Sequence, residues 1–174
     1  ATLAAIVARK NAFGTIGIAH TRWATHGAPI ARNAHPHADC SSRFFVVHNG
    51  IIENWRELKT VLQKQGHRFI SDTDTEVFAH LIEKYFKNSL ADAVISALHE
   101  VRGTYGLAVL SKEEPGTIIV ARRSSPIVIG IGSDGIYIAS DPLAIGRHIT
   151  GVTYLEDDEI AVVTSQDVTY RIAH

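Results

Sequence analysis

Methionine is absent from this 174-residue sequence, even at position 1. That points to a start partway through a longer protein, or to removal of an initial segment. There is a single cysteine, Cys40, which excludes an internal disulfide and points to an intracellular, cytoplasmic setting. Neither sign of charge dominates: 17 Lys and Arg against 18 Asp and Glu leave a formal net charge of −1. Nothing here is the electrostatic footprint of a nucleic-acid or anionic-membrane partner. No apolar run approaches the roughly 18 residues of a membrane span. The apolar run within residues 1–10 is too short for a signal peptide and has no basic flank before it. What remains is 45% hydrophobic and 20% charged, which describes one soluble domain with a real core.

Hydrophobic spacing organises the chain. Leu3, Ile6 and Val7 predict a helix over residues 2–11, ended by Gly14. Thr15 to His20 reads as a strand. Ala28 to Ser42, with Pro29, Asn33, Pro36 and Asp39, reads as a long irregular segment of the kind that is functional or disordered. Phe44–Val47 is a buried strand ending in His48-Asn49-Gly50. Asn54 is positioned to cap a helix through Gln65, with Gly66 as its C-cap. Arg68–Ile70 is a short strand. Thr73 and Glu76 fit a capping box before a helix to about Lys87, and Leu90–Val101 is a third helix.

From Gly103 onward the sequence reads as strands. They cover Tyr105–Leu110, Thr117–Ala121, Ile127–Ile131, Ile136–Ala139, Gly151–Leu155, Glu159–Thr164 and Val168–Arg171, with a short helix within Asp141–Arg147. This order predicts a single α+β domain of layered antiparallel sheets with helices packed outside.

The densest chemistry lies in Gly17–Gly27, where a short apolar run delivers His20, Thr21, Arg22, Trp23, Thr25 and His26. An Arg fork beside hydroxyls, imidazoles and an indole suits a small carboxylate or zwitterionic ligand, because Arg pairs bidentately with a carboxylate. Asn49-Gly50 is first of all a hairpin signal. Its second reading is an oxyanion hole, with an Asn amide and a Gly N–H aimed at one developing charge. Asp74 reads as a first-turn acid on a helix dipole. Asp72, Asp74 and Glu76 together exceed what a cap needs, so a ligand amine is a reasonable partner.

Four other features resolve to structure. His35-Pro36-His37 has no acid or thiolate at metal-ligand spacing, so no metal is expected. The G-x-G-x-x-G of Gly130–Gly135 is followed by a strand rather than a helix, so it is a hairpin turn and no dinucleotide is expected. Cys40 has no evident base and is not read as a nucleophile. Arg122-Arg123 reads as the end of a strand at an exposed edge.

The chain resembles the glutaminase domains of the glutamine–fructose-6-phosphate aminotransferases (glucosamine-6-phosphate synthases). The resemblance rests on Gly17–Gly27, His48–Asn54 and Thr73–Glu76 in that order, with Asn33–His37, Ala121–Pro126 and Ala139–Asp141. It covers nearly the whole chain. Phosphoribosylpyrophosphate amidotransferases resemble it less, because Trp23-Ala24 departs from their usual Tyr-Ser.

The resemblance implies an N-terminal nucleophile hydrolase fold, an α/β/β/α sandwich. It implies a cysteine that attacks the glutamine side-chain amide with its own α-amine as base, giving a thioester and ammonia. By resemblance, Arg22 holds the glutamine α-carboxylate and Asp74 its α-amine, while Thr25, His26 and His35 line the pocket. Asn49 and Gly50 form the oxyanion hole, and Trp23 gates ammonia toward a sugar-isomerising domain that binds fructose 6-phosphate. No cofactor is implied, and the parent protein would be a homo-oligomer. The family begins Cys-Gly-Ile-Val-Gly, and Ala1-Thr2 does not match it. The expectation is therefore an N-terminally incomplete domain without its nucleophile and without the isomerase domain. A fragment of a longer product is favoured over an incomplete rendering of the chain or a degenerate, non-catalytic glutamine-binding homologue.

Overall fold

In the computed structural model, the residues described are Ala5, 14–22, 27–146 and 149–173. Of the helix expected over 2–11, only the helical Ala5 is among them, and Trp23, Thr25 and His26 lie outside them.

The strands of the larger sheet are most apolar at its centre, where both faces are covered, and most exposed at its last edge strand. They are β1 (His37–Ala38), β2 (Phe44–Ile52), β3 (Gly103–Ser111), β4 (Ile118–Arg123), β8 (Glu159–Val163) and β9 (Val168–Ile172), ordered β1-β2-β3-β4-β8-β9. Every pairing is antiparallel. A second sheet, ordered β6-β5-β7, is built from β5 (Val128–Gly132), β6 (Ile136–Ala139) and β7 (Ile149–Tyr154).

Alternation along the strands sorts the side chains into two cores. Phe44, Val46, Ile52, Leu107 and Ile119 face the helices α1 (Trp55–Lys64), α2 (Glu76–Tyr85) and α3 (Leu90–Glu100). Val47, Ala108, Val120, Ile127 and Ile129 fill the space between the sheets. The described layers are thus helices, large sheet and small sheet, as expected for a layered α+β domain. Among the described residues, no helix is long and apolar enough to cross a membrane.

Several local expectations are corrected. Thr15–His20 is not a strand: Ile16 and Ile18 do pack on the inter-sheet core, but the segment joins neither sheet. Asn49-Gly50 is not a turn. The strand runs on to Ile52 because β3 pairs with all nine of its residues, from Phe44↔Ser111 to Ile52↔Gly103. Arg68–Ile70 is not a strand either, since its N–H groups go to side chains, Arg68 to Cys40 Sγ and Ile70 to Glu76.

Asn54 does not cap α1 through its side chain. Its amide bridges to the end of α3 instead, donating to Glu100 O and accepting from Arg102 N. The Thr73–Glu76 capping box does not form, because Glu76 accepts from Ile70 and Ser71 N–H. Arg122 and Arg123 end an interior strand, paired with Asp157 and Asp158. The expected helix within Asp141–Arg147 shrinks to a 3-10 turn, Pro142–Ala144.

Other expectations hold. Gly132 N donates to Gly135 O at 2.9 Å to close the β5–β6 hairpin. Gly66, at φ +98°, ends α1 with His67 N on Leu62 O and Gly66 N on Gln63 O, the paired bonds of a Schellman ending.

Phe78 on α2 is fully buried, edge-on to His48 and Tyr105, with ring centroids 5.9 and 6.1 Å away. Phe78→Ala is expected to cost about 3–5 kcal/mol of unfolding free energy. Urea denaturation measures it, and a loss below about 1 kcal/mol would contradict this packing.

Candidate functional site

The site grows out of one edge of β2. On that side β1 pairs only with Val46 and Phe45. Beyond them, side chains meet the N–H groups that no strand reaches. His48 N donates to His35 Nδ1 at 3.2 Å, and Ile52 N donates to Asp74 Oδ2 at 2.8 Å. Two of the residues singled out from sequence, His35 and Asp74, are thereby fixed against the same strand. A third, Gly50, sits between those two anchored positions at φ +131°, and an added Cβ would fall 2.2 Å from Thr104 O. Only glycine fits there.

Asn49 points to the inter-sheet side, where it borders a cavity of about 100 Å³ also lined by His20, His48 and Ser140. Its Oδ1 lies 2.7 Å from His20 Nε2, while His20 Nδ1 accepts from Arg22 N at 2.9 Å. Because Nδ1 accepts, the proton of the neutral ring is on Nε2, which donates to Asn49 Oδ1. This sets the amide's orientation and turns its NH₂ donors away from His20. His20 therefore has a positioning role that the sequence reading did not assign, although it lies in the same loop as Arg22.

Arg22 has φ +44° and bends its guanidinium back over the loop, onto Gly27 O (3.1 Å) and Ala28 O (3.2 Å). Asn33, fully buried, ties this loop to the start of α2. It donates to Ala28 O and accepts from Asp72 N at 2.9 Å. The three acids that looked surplus to a cap have separate tasks. Asp72 pairs with Arg32 at 2.9 Å, Asp74 meets β2, and Glu76 Oε2 accepts from Ser71 N and Oγ.

His20, His35, His37 and His48 form one contiguous group. His35 stacks on His20 with centroids 4.2 Å apart and meets His37 edge-on. Burial, with positive charge from His20, His37, His48 and Arg22, pushes the His35 pKa down to about 2. Burial lowers His37 to about 4, with Glu76 and Asp74 opposing the shift and Arg22 adding to it. Burial also lowers His48, against Asp74. His48 Nε2 meets Thr104 O and so carries the proton, while Nδ1 lies 2.9 Å from Thr75 Oγ1. These neutral rings act as hydrogen-bonding and packing elements rather than as charges.

A family model described as a glutamine amidotransferase domain matches residues 20–147. The chain belongs to the glutamine amidotransferases. Among curated relatives of this amidotransferase chain, the glutamine–fructose-6-phosphate aminotransferase (isomerizing) of Methanothermobacter thermautotrophicus is 52% identical over 152 residues, covering 86% of this chain and 26% of the relative. The enzyme of the same name from Bacteroides thetaiotaomicron is 53% identical over 161 residues, 90% of this chain and 26% of the relative. The chain thus spans about a quarter of the length of these relatives. Among solved structures, a glutamine phosphoribosylpyrophosphate amidotransferase from B. subtilis superposes with a TM-score of 0.72 at 28% identity, covering 89% of this chain and 34% of that one. The layered, mostly antiparallel architecture is that of the N-terminal nucleophile hydrolase fold of class II amidotransferases.

The neutral histidines make stability depend on pH. Both shifted pKa values lie below the ordinary 6.5. As pH falls below 6.5, the unfolded chain takes up protons that the folded chain refuses, so stability falls toward pH 4. Thermal unfolding between pH 7.5 and pH 4.5 is expected to show Tm decreasing, with a shallower slope in His37→Asn. A flat or opposite trend would contradict the assignment.

Proposed function

We propose that this chain is the glutamine-binding and glutamine-hydrolysing part of a glutamine–fructose-6-phosphate aminotransferase. It would supply ammonia for the conversion of fructose 6-phosphate to glucosamine 6-phosphate, with the sugar handled by a separate isomerase domain. The observation that carries the proposal is the Asn49 amide, oriented by His20 beside Gly50 in a conformation only glycine fits, in a chain about half identical to enzymes of that name.

In this reading Arg22 takes the α-carboxylate of glutamine, supported by the loop bonds that preset its guanidinium. Asp74, held by Ile52 N, takes the α-amine. His35, Thr25 and His26 line the pocket, and Trp23 gates the ammonia. As the side-chain carbonyl becomes tetrahedral, negative charge grows on its oxygen. The Asn49 NH₂ and the Gly50 N–H would meet that charge, and each such donor is worth roughly a hundred- to a thousand-fold in rate.

The attacking group of this chemistry is a thiolate. Cys40 is not that group, because its sulfur lies among His67, His80 and Arg68 N, on the helix side of the large sheet. These 174 residues by themselves are therefore expected to bind glutamine without turning it over. Calorimetry with L-glutamine is expected to show saturable binding that Arg22→Ala weakens at least about tenfold, since a charge-assisted bidentate carboxylate contact contributes more than about 1.4 kcal/mol. No binding by a folded chain, or binding unchanged in Arg22→Ala, would overturn the pocket assignment. Glutamate release at an enzymatic rate would overturn the exclusion of Cys40.

A further inference from the structure

Away from the glutamine pocket, four side chains of metal-ligand type converge. Cys40 Sγ lies 3.7 Å from His80 Nδ1 and 3.9 Å from His67 Nδ1. Glu83 Oε2 lies 2.8 Å from His67 Nδ1 and 3.4 Å from His80 Nδ1. All four donor atoms lie within 4.8 Å of one another. We propose that Cys40, His67, His80 and Glu83 form a structural site for a zinc-like divalent transition-metal ion.

The spacing is what such an ion requires. Bonds of 2.0–2.1 Å to nitrogen or oxygen and 2.3 Å to sulfur, at tetrahedral angles, put neighbouring donors about 3.3–3.6 Å apart. Three of the four contacts lie within a few tenths of an ångström of that range. The His67–Glu83 contact is a hydrogen bond that must open by about half an ångström. The donor set is one thiolate, two imidazoles and one carboxylate, which favours zinc over calcium or magnesium. On binding, the Cys40 thiol gives its proton to solvent, and His67 Nδ1 gives up the proton it shares with Glu83 by moving it to Nε2. Thiolate and carboxylate then cancel the two positive charges of the ion, which suits a half-buried place.

The surroundings of the four donors support the proposal independently. His80 is fully buried, and among the described residues its Nε2 makes no hydrogen bond, yet it lies 3.6 Å from Glu76 Oε1. A neutral ring with its proton on Nε2, toward Glu76, presents the Nδ1 lone pair to the cluster. A carboxylate behind a metal-bound imidazole is the usual outer support of such sites. Cys40 Sγ already accepts the Arg68 N–H at 3.3 Å.

Each ligand is also held by its own local structure. Asp39 fixes the loop carrying Cys40 by accepting from Ser41, Arg43 and Phe44 N–H. The Schellman ending of α1 places His67. His80 and Glu83 are three residues apart on one face of α2. An ion here would tie the β1–β2 loop, the end of α1 and α2 into one unit.

The test uses the whole chain, stripped with a chelator and confirmed folded by circular dichroism. Zinc titrated against a chromophoric chelator is expected to bind at one ion per chain and to raise Tm. Cobalt(II) is expected to give the intense visible bands of a tetrahedral ion and a near-ultraviolet thiolate-to-cobalt charge-transfer band. Cys40→Ser, at an exposed position, should remove the charge-transfer band and weaken zinc binding by more than about tenfold, the lower end of what even outer-shell changes do. His67→Gln should weaken binding comparably without touching the thiolate. Less than one zinc per chain at saturation, cobalt without the charge-transfer band, or affinity unchanged in both variants would overturn the site.

Discussion

The structure depends on the edge of β2. This strand is paired along its whole length with β3 and buried over most of it, but β1 pairs only with Phe45 and Val46. A buried N–H left without a partner costs about 1–3 kcal/mol. The fold therefore brings an imidazole to His48 N and a carboxylate to Ile52 N. Those two groups belong to the irregular loop before β2 and to the start of α2. Closing the edge with side chains instead of a strand is what draws loop, strand and helix to a single place.

The same arrangement explains why so many titratable groups can sit together. His35, His37 and His48 are kept neutral by burial and by one another, so they add hydrogen-bond capacity without charge repulsion. The carboxylates beside them are each satisfied by backbone N–H groups, as Ile52 serves Asp74 and as Ile70 and Ser71 serve Glu76.

Much of this was legible in the sequence. Alternating apolar residues located most of the strands, and helical spacing found α1, α2 and α3 within one to three residues. Asn49 and Gly50 carried two readings, and only tertiary pairing separates them. Asn-Gly after an apolar strand favours a turn locally, and nine registered pairs with β3 override that preference. The capping signals at Asn54 and Thr73–Glu76 failed for a related reason. Their side chains found better partners in α3 and in the 70–71 backbone, which are distant or irregular segments. His20 was visible as part of a polar cluster, but its tautomer, and so its hold on Asn49, needs the Arg22 N–H to be placed. The Cys40–His67–His80–Glu83 group was invisible because its first two gaps are 27 and 13 residues, far from any compact ligand motif.

The central claim is that His20 and the β2 edge present the Asn49 NH₂ and the Gly50 N–H to one ligand carbonyl. Nitrogen-15 NMR of the chain titrated with L-glutamine reads both groups at once. The account predicts saturable shifts of the Asn49 side-chain NH₂ and the Gly50 amide with one shared dissociation constant, lost together in His20→Ala while the β2–β3 amides stay in place. Saturable glutamine binding that leaves those two signals unmoved would contradict it.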